Sequence, residues 1–198
     1  MMGAGKSTVG RALAPQLGYQ FFDTDTLIET AAGLTIPEIF AEQGEAGFRE
    51  WETQVLAQLC PHSRLVVATG GGIVERSQNW SYLHHGLTLW LDVSAATLHQ
   101  RLQAQRLQAQ RLQSDATPRP LLETSDPLKT LTHLLDRRRT LYAQADVRIS
   151  EAEKPLDILL PAIAEALQHS LRTTPLQDLA QPPSPPMQTD ASIQTDES

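Results

Sequence analysis

The stretch Met1-Met2-Gly3-Ala4-Gly5-Lys6-Ser7-Thr8, running on through Val9-Gly10-Arg11-Ala12-Leu13-Ala14-Pro15-Gln16-Leu17-Gly18, decides the fold. Gly-x-Gly-Lys-Ser is the closing half of a phosphate-binding loop, in which successive backbone N–H groups and the start of the next helix form an anion cradle. Gly3, Ala4, Gly5, Lys6, Ser7 and Thr8 are the candidate cradle, with Lys6 reaching the β- and γ-phosphates and Ser7 placing its hydroxyl on Mg²⁺. Standing alone, a glycine-rich pentapeptide is more often a plain turn. Here it runs into Val9, Leu13 and Leu17 at four-residue spacing before a glycine stop, the pattern of a short amphipathic helix. Loop and helix in that order favour phosphate binding. The full motif also has an earlier glycine and a hydrophobic strand leading into it. Both would fall ahead of Met1, so the expectation is that Met1 or Met2 is an internal methionine of a longer chain.

Working outward, 198 residues make one domain with room for a substantial core. No apolar run approaches the roughly 20 residues that span a bilayer, and the N-terminus has no signal-peptide pattern. The single cysteine, Cys60, excludes an intramolecular disulfide framework and reads as a small buried side chain in a reducing compartment, here taken as the cytoplasm. The formal charge of −7 argues against nonspecific nucleic-acid binding. Residues 173–198 have no Lys or Arg and four of the acids, which leaves about −3 for the rest. That Pro/Ser/Thr/Gln-rich segment cannot bury enough apolar surface to offset chain entropy, so the domain is expected over residues 1–171 and a disordered tail over 172–198.

Tyr19-Gln20-Phe21-Phe22-Asp23-Thr24-Asp25 reads as a strand ending in two acids. On a strand, Asp23 and Asp25 would share a face and project beyond its end; the plainer reading is an Asx turn into the following helix. Beside a phosphate loop, one acid suits Mg²⁺ and its waters and the other a substrate hydroxyl. Residues 26–60 read as helices broken at Gly33 and at Gly44 to Gly47. Arg49 and Glu52, three apart, are either a surface ion pair or a carboxylate clamp oriented by an acid. Leu65 to Thr69 is a buried strand entering Gly70-Gly71-Gly72, where a missing Cβ lets backbone approach a ligand.

A strand at Leu87 to Val93 precedes a helix containing a repeat: Arg101-Leu102-Gln103-Ala104-Gln105, the same five residues from Arg106, then Arg111-Leu112-Gln113. A five-residue step turns about 500° around a helix, so the repeats give no single apolar stripe. The repeat therefore reads as a duplication lengthening a surface helix. Thr117 to Leu122 is irregular, with Arg119 between two prolines. A helix from about Pro127 to Ala143 contains Arg137-Arg138-Arg139, of which at most one or two can face a site. Val147 to Ile149 is a last short strand and Pro155 to Leu171 a closing helix.

Over about residues 2–170 the sequence resembles the shikimate kinase family. The stretches that match are Gly3-Ala4-Gly5-Lys6-Ser7-Thr8, Phe22-Asp23-Thr24-Asp25, Ile39-Phe40, Gly44-Glu45, Phe48-Arg49 with Glu52, Thr69-Gly70-Gly71-Gly72, Arg119-Pro120-Leu121-Leu122, and Arg138 four residues before Tyr142. The resemblance implies a three-layer α/β P-loop kinase fold with a central parallel sheet, whose first strand this chain lacks, and a mobile lid segment. It implies a monomer that moves the γ-phosphoryl of ATP to the 3-hydroxyl of shikimate, with Mg²⁺ and with no nucleic-acid or membrane partner. Lys6 and Ser7 would hold phosphate and metal, Asp23 the metal through water, and Asp25 would deprotonate the hydroxyl. Arg49, Arg138 and the backbone of Gly70, Gly71 and Gly72 would bind shikimate. Arg119, in the lid, would neutralise transition-state charge, and Arg111 and Pro155 would flank the adenine. The alternatives are another small phosphate-loop kinase, resembling gluconate kinase, and a degenerate, nonenzymatic nucleotide- or ligand-binding module.

Overall fold

The computed structural model describes residues 1–111, 126–150 and 152–173, over which helices alternate with short parallel strands. Helix α1 (Lys6–Leu17) starts behind Gly5, whose φ of 89° is a left-handed value that glycine adopts without Cβ strain, and stops at Gly18. Val9 and Leu13 face the core, whereas Leu17 is 39% exposed, so the predicted stripe ends one turn early. Strand β1 (Gln20–Asp23) pairs in parallel with β2 (Leu65–Ala68), Phe21 opposite Val66 and Asp23 opposite Ala68. Strand β3 (Leu89–Leu91) pairs in parallel with β4 (Val147–Ile149). Parallel strands joined through helices bear out the α/β class.

The expected single central sheet is instead two parallel pairs, with no ladder between β2 and β3 among the described residues. The segment 1–5 turns rather than extends, and it buries Met1 and Ala4 in the larger core with Trp90, Leu91 and Leu98.

Between β1 and β2 lie α2 (Thr24–Ala32) and α3 (Ile36–Leu59). A Thr35/Glu38 capping box starts α3, and Gly44 kinks it at φ 67°, the break expected from Gly44 to Gly47. Ile28, Ile39, Phe48 and Val55 form a second, smaller core under this layer. A 3-10 turn (Ile73–Glu75) and helix α4 (Ser77–Leu83), both unforeseen, lead to β3. Helix α6 (Pro127–Tyr142) is capped by the Asp126 side chain, and α7 (Leu156–Thr173) runs two residues past the boundary expected at 171.

Helix α5 (Ala95–Arg111) corrects the reading of the repeat as purely surface. Leu98 and Leu102 are fully buried and Arg101 is half-buried, while Arg106 and Arg111 are exposed and Leu107 is 55% exposed. Four-residue spacing puts Leu98 and Leu102 on one face, and the next unit, five residues on, turns away from it. Identical sequence units thus occupy opposite environments. The lid expected at 117–122, with Arg119, and the tail from 174 lie outside the described residues.

Candidate active site

The first-turn N–H groups of an α-helix have no intrahelical acceptor, and at α1 they stand behind the left-handed Gly3 and Gly5, next to Ala4, Ser7 and an exposed Thr8. The Lys6 ammonium donates to the Met1 carbonyl at 2.7 Å. Burial pulls its pKa below the usual lysine value, while Asp25 and Asp23 pull the other way. The Ser7 hydroxyl donates to Asp23 Oδ2 at 2.6 Å, which sets a hydroxyl and a carboxylate oxygen side by side at the helix start. Two hard oxygen donors suit Mg²⁺, which takes few protein ligands when phosphate oxygens complete its shell.

The acid pair is arranged differently from the strand-face expectation. β1 stops at Asp23, whose Oδ1 accepts the Asp25 N–H at 3.1 Å and so caps α2; Asp25 lies in that helix's first turn. The capping hydrogen bond outcompetes continued strand, and the plainer turn reading describes the backbone. The acids still converge on the site, since the Asp25 carboxylate interacts electrostatically with Lys6. Asp25 Oδ1 is buried without a hydrogen-bond partner, as is Glu52 Oε1. Burial pushes both carboxyls above their ordinary pKa; Asp23 adds to the rise at Asp25, and Arg49 opposes it at Glu52.

These two orphan oxygens border the triple glycine. A Cβ on Gly70 would lie 2.6 Å from Glu52 Oε1 and 3.2 Å from Asp25 Oδ1, and one on Gly72 would collide with the Arg49 guanidinium. The glycine backbone is fixed from both sides. The Gly70 N–H donates to the fully buried Thr24 hydroxyl at 2.9 Å, and the Tyr142 hydroxyl donates to the Gly71 carbonyl at 2.7 Å. The side chains of α2, α3 and α6 therefore meet at one backbone stretch beyond the end of β2, the end of a parallel strand where α/β folds bind ligands.

Arg49 forms the predicted pair with Glu52 at 2.7 Å, with Glu52 wholly buried. Its other terminal nitrogen reaches Glu45 at 2.9 Å and Glu75 at 3.2 Å, and Arg138 Nε donates to the second Glu75 oxygen at 3.0 Å. Of the three consecutive arginines, Arg138 faces this cluster and Arg139 points toward Asp92 at 4.0 Å.

Arg111 and Pro155 were expected beside the nucleotide. Arg111 is exposed at the far end of α5, about 15 Å along the axis from the repeat's first arginine. Arg101 takes the place by the loop: its guanidinium approaches the Ala4 carbonyl at 3.4 Å and the Ala152 and Glu153 carbonyls at 3.4 and 3.5 Å. Pro155 follows this turn and caps α7 through its carbonyl, which accepts the Leu159 N–H at 3.0 Å. Sequence reasoning missed Arg101, Thr24 and Glu75. For Arg101 the usable signal is its place between Leu98 and Leu102; for Glu75 it is the position three residues after Gly72.

A helix-borne anion cradle with a half-buried lysine, facing a glycine floor flanked by arginines on a parallel α/β frame, defines a phosphate-loop kinase of small molecules. The family model for shikimate kinase matches residues 2–171. A shikimate kinase of Synechococcus sp. is 53% identical over 176 residues, covering 88% of each chain, and one of Trichormus variabilis is 51% identical over 175 residues, covering 88% of this chain and 91% of that one. The solved shikimate kinase of Acinetobacter baumannii in complex with shikimate superposes with a TM-score of 0.75 at 36% identity, covering 87% of this chain and 91% of that one. The chain belongs to the shikimate kinase family. That membership favours the enzymatic reading over a nonenzymatic module and shikimate kinase over a gluconate kinase relative.

Proposed function

We propose that the protein transfers the γ-phosphoryl group of ATP to the 3-hydroxyl of shikimate, giving shikimate 3-phosphate and ADP on the route to the aromatic amino acids. The observation that carries this is the pair of unpartnered buried carboxylate oxygens, on Asp25 and Glu52, against a glycine floor flanked by Arg49 and Arg138. Acceptor oxygens without donors suit hydroxyl groups, and paired guanidinium groups suit a carboxylate.

The backbone from Gly3 to Thr8 and the start of α1 bind the phosphates, with Lys6 on the transferred group. Ser7 and Asp23 would hold Mg²⁺, which when bound would supply charge neutralisation on the phosphate oxygens. Asp25 orients the acceptor hydroxyl and takes its proton, and its raised pKa makes it a better base than an ordinary aspartate. Arg49 and Arg138 hold the shikimate carboxylate, while Gly70, Gly71 and Gly72 allow the ring to approach the backbone. Arg101 and Pro155 flank the nucleotide, and Arg119 neutralises transition-state charge from the lid. Positioning and electrostatics supply most of the rate in such transfers.

Purified full chain with ATP, Mg²⁺ and shikimate should release ADP in a coupled assay and yield a 3-phosphate by phosphorus NMR, with gluconate inert. Absence of ADP release with shikimate, in folded protein that binds ATP, refutes the assignment.

A further inference from the structure

Glu75 is a carboxylate that no step of the reaction uses, yet it occupies the centre of the arginine cluster. It lies at the end of the 3-10 turn after the glycine floor, with its side chain 26% exposed. Its two oxygens go to different arginines, Oε1 to Arg138 Nε at 3.0 Å and Oε2 to an Arg49 terminal nitrogen at 3.2 Å. A bound carboxylate bridging the same two cations would make the same contacts. Arg49 does not need Glu75 for its orientation, because it is anchored by the wholly buried Glu52 at 2.7 Å, by Glu45 at 2.9 Å and over the Phe48 ring at 5.6 Å.

From this geometry, and resting on the reading of Arg49 and Arg138 as the carboxylate clamp, we propose that Glu75 is a resident surrogate for the substrate carboxylate that shikimate must displace. Glu75 thereby sets both affinity and selectivity. Partial burial disfavours its charge, but Arg138 and then Arg49 overcome that and hold the carboxyl below its ordinary pKa, so it competes as an anion at neutral pH. A small carboxylate meets a clamp already bridged. Shikimate brings hydroxyl contacts to Asp25, Glu52 and the glycine backbone, and these offset the displacement. Selectivity then arises from an occupied site that only a fully matched ligand empties, an instance of discrimination by competing contacts.

The test compares Glu75→Gln and Glu75→Ala with the parent chain in steady-state kinetics. The shikimate KM should fall about two- to fivefold, the scale of partly exposed ion pairs, with kcat changing by less than about twofold. Benzoate, a carboxylate without hydroxyls, should become a better competitive inhibitor by a similar factor. Shikimate methyl ester, which has no charge to compete for the clamp, should show no gain. If Glu75 instead positions the arginines, KM rises in both variants; a rise or an unchanged KM in folded protein, checked by thermal melting, overturns the proposal. Arg138→Met separates this outcome from failure of the clamp reading. A raised KM there with no fall at Glu75 removes the surrogate role alone, whereas an unchanged KM there removes the clamp and the surrogate role together.

Discussion

Replacing Gly70 with alanine adds one methyl group at the point where the orphan oxygens converge. That methyl lies 2.6 Å from Glu52 Oε1 and 3.2 Å from Asp25 Oδ1, against an ordinary contact of about 3.4 Å or more. Glu52 must retreat by about 0.8 Å and Asp25 by about 0.2 Å. Neither is free to do so cheaply: Glu52 is wholly buried and tied to Arg49 at 2.7 Å, and Asp25 lies in the first turn of a helix capped by Asp23. The Gly70 backbone is itself fixed by its N–H bond to Thr24 at 2.9 Å. Overpacking of this kind costs about 1–3 kcal/mol, or roughly 2–10 °C in melting temperature for a chain of this size. With Asp25 as the proposed base and Arg49, held by Glu52, as the proposed clamp, a displacement approaching about 1 Å costs up to about a hundredfold in turnover. Gly86→Ala, whose methyl meets nothing within 4 Å, is the control and should change neither quantity. Kinetics with shikimate and ATP, alongside thermal melts, decide the matter. Folded Gly70→Ala protein with turnover within about threefold of the parent would refute the idea that this close approach matters to catalysis.

Arg49→Ala should mainly raise the shikimate KM, whereas Arg119→Ala should mainly lower kcat; steady-state kinetics showing the reverse would overturn both roles. Arg101→Ala should raise the ATP KM while Arg111→Ala leaves it unchanged. Deleting residues 101–110 joins Gln100 to Arg111-Leu112-Gln113 and restores the same local sequence, so activity should persist, and in that background alone Arg111→Ala should weaken ATP use. Glu52 has a folded pKa raised above its ordinary 4.5, chiefly by burial, with Asp25 adding to the rise and Arg49 and Arg138 opposing it. Its ionisation therefore costs the fold nothing below that ordinary value and progressively more as pH rises through the raised one. Melting curves should show the parent losing stability relative to Glu52→Gln over that rise, and parallel curves would count against a strained buried carboxylate.

The sequence displayed the chemistry of the site more clearly than its geometry. Glycines at positions 5 and 18 bracket a helix of the expected length, because both ends need left-handed backbone that glycine supplies. The triple glycine announced a close backbone approach, but not what approaches. Glu52 and Arg49 arrive from α3, and Tyr142 comes from a helix some seventy residues further on, joined by a hydrogen bond to Gly71. Asp23 and Asp25 were legible as a pair, yet a period-two reading put them on one strand face. A single capping bond ends the strand at Asp23, and such a local contest between cap and ladder is settled by tertiary placement. The repeat was the least readable. Three arginines in equivalent sequence settings can be ranked only by the packing of Leu98 and Leu102, which brings Arg101 to the loop.

The same geometry explains how a chain with a net charge of −7 accepts anionic ligands. Its site cations are not bare. Lys6 lies in the field of Asp25 and Asp23, Arg49 touches Glu45, Glu52 and Glu75, and Arg138 touches Glu75. Net charge at the site therefore gives little attraction for an arbitrary anion, and affinity must come from exchanging one set of contacts for a better one. The better set is defined by what the protein leaves unsatisfied, the acceptor oxygens on Asp25 and Glu52. On the proposed assignment, a hydroxylated acid would satisfy those acceptors with its hydroxyl hydrogens while its carboxylate would take the arginines. A simple acid that gains only the arginines leaves two buried acceptors unpaired, and unpaired buried polar groups are costly enough to dominate discrimination between otherwise similar ligands.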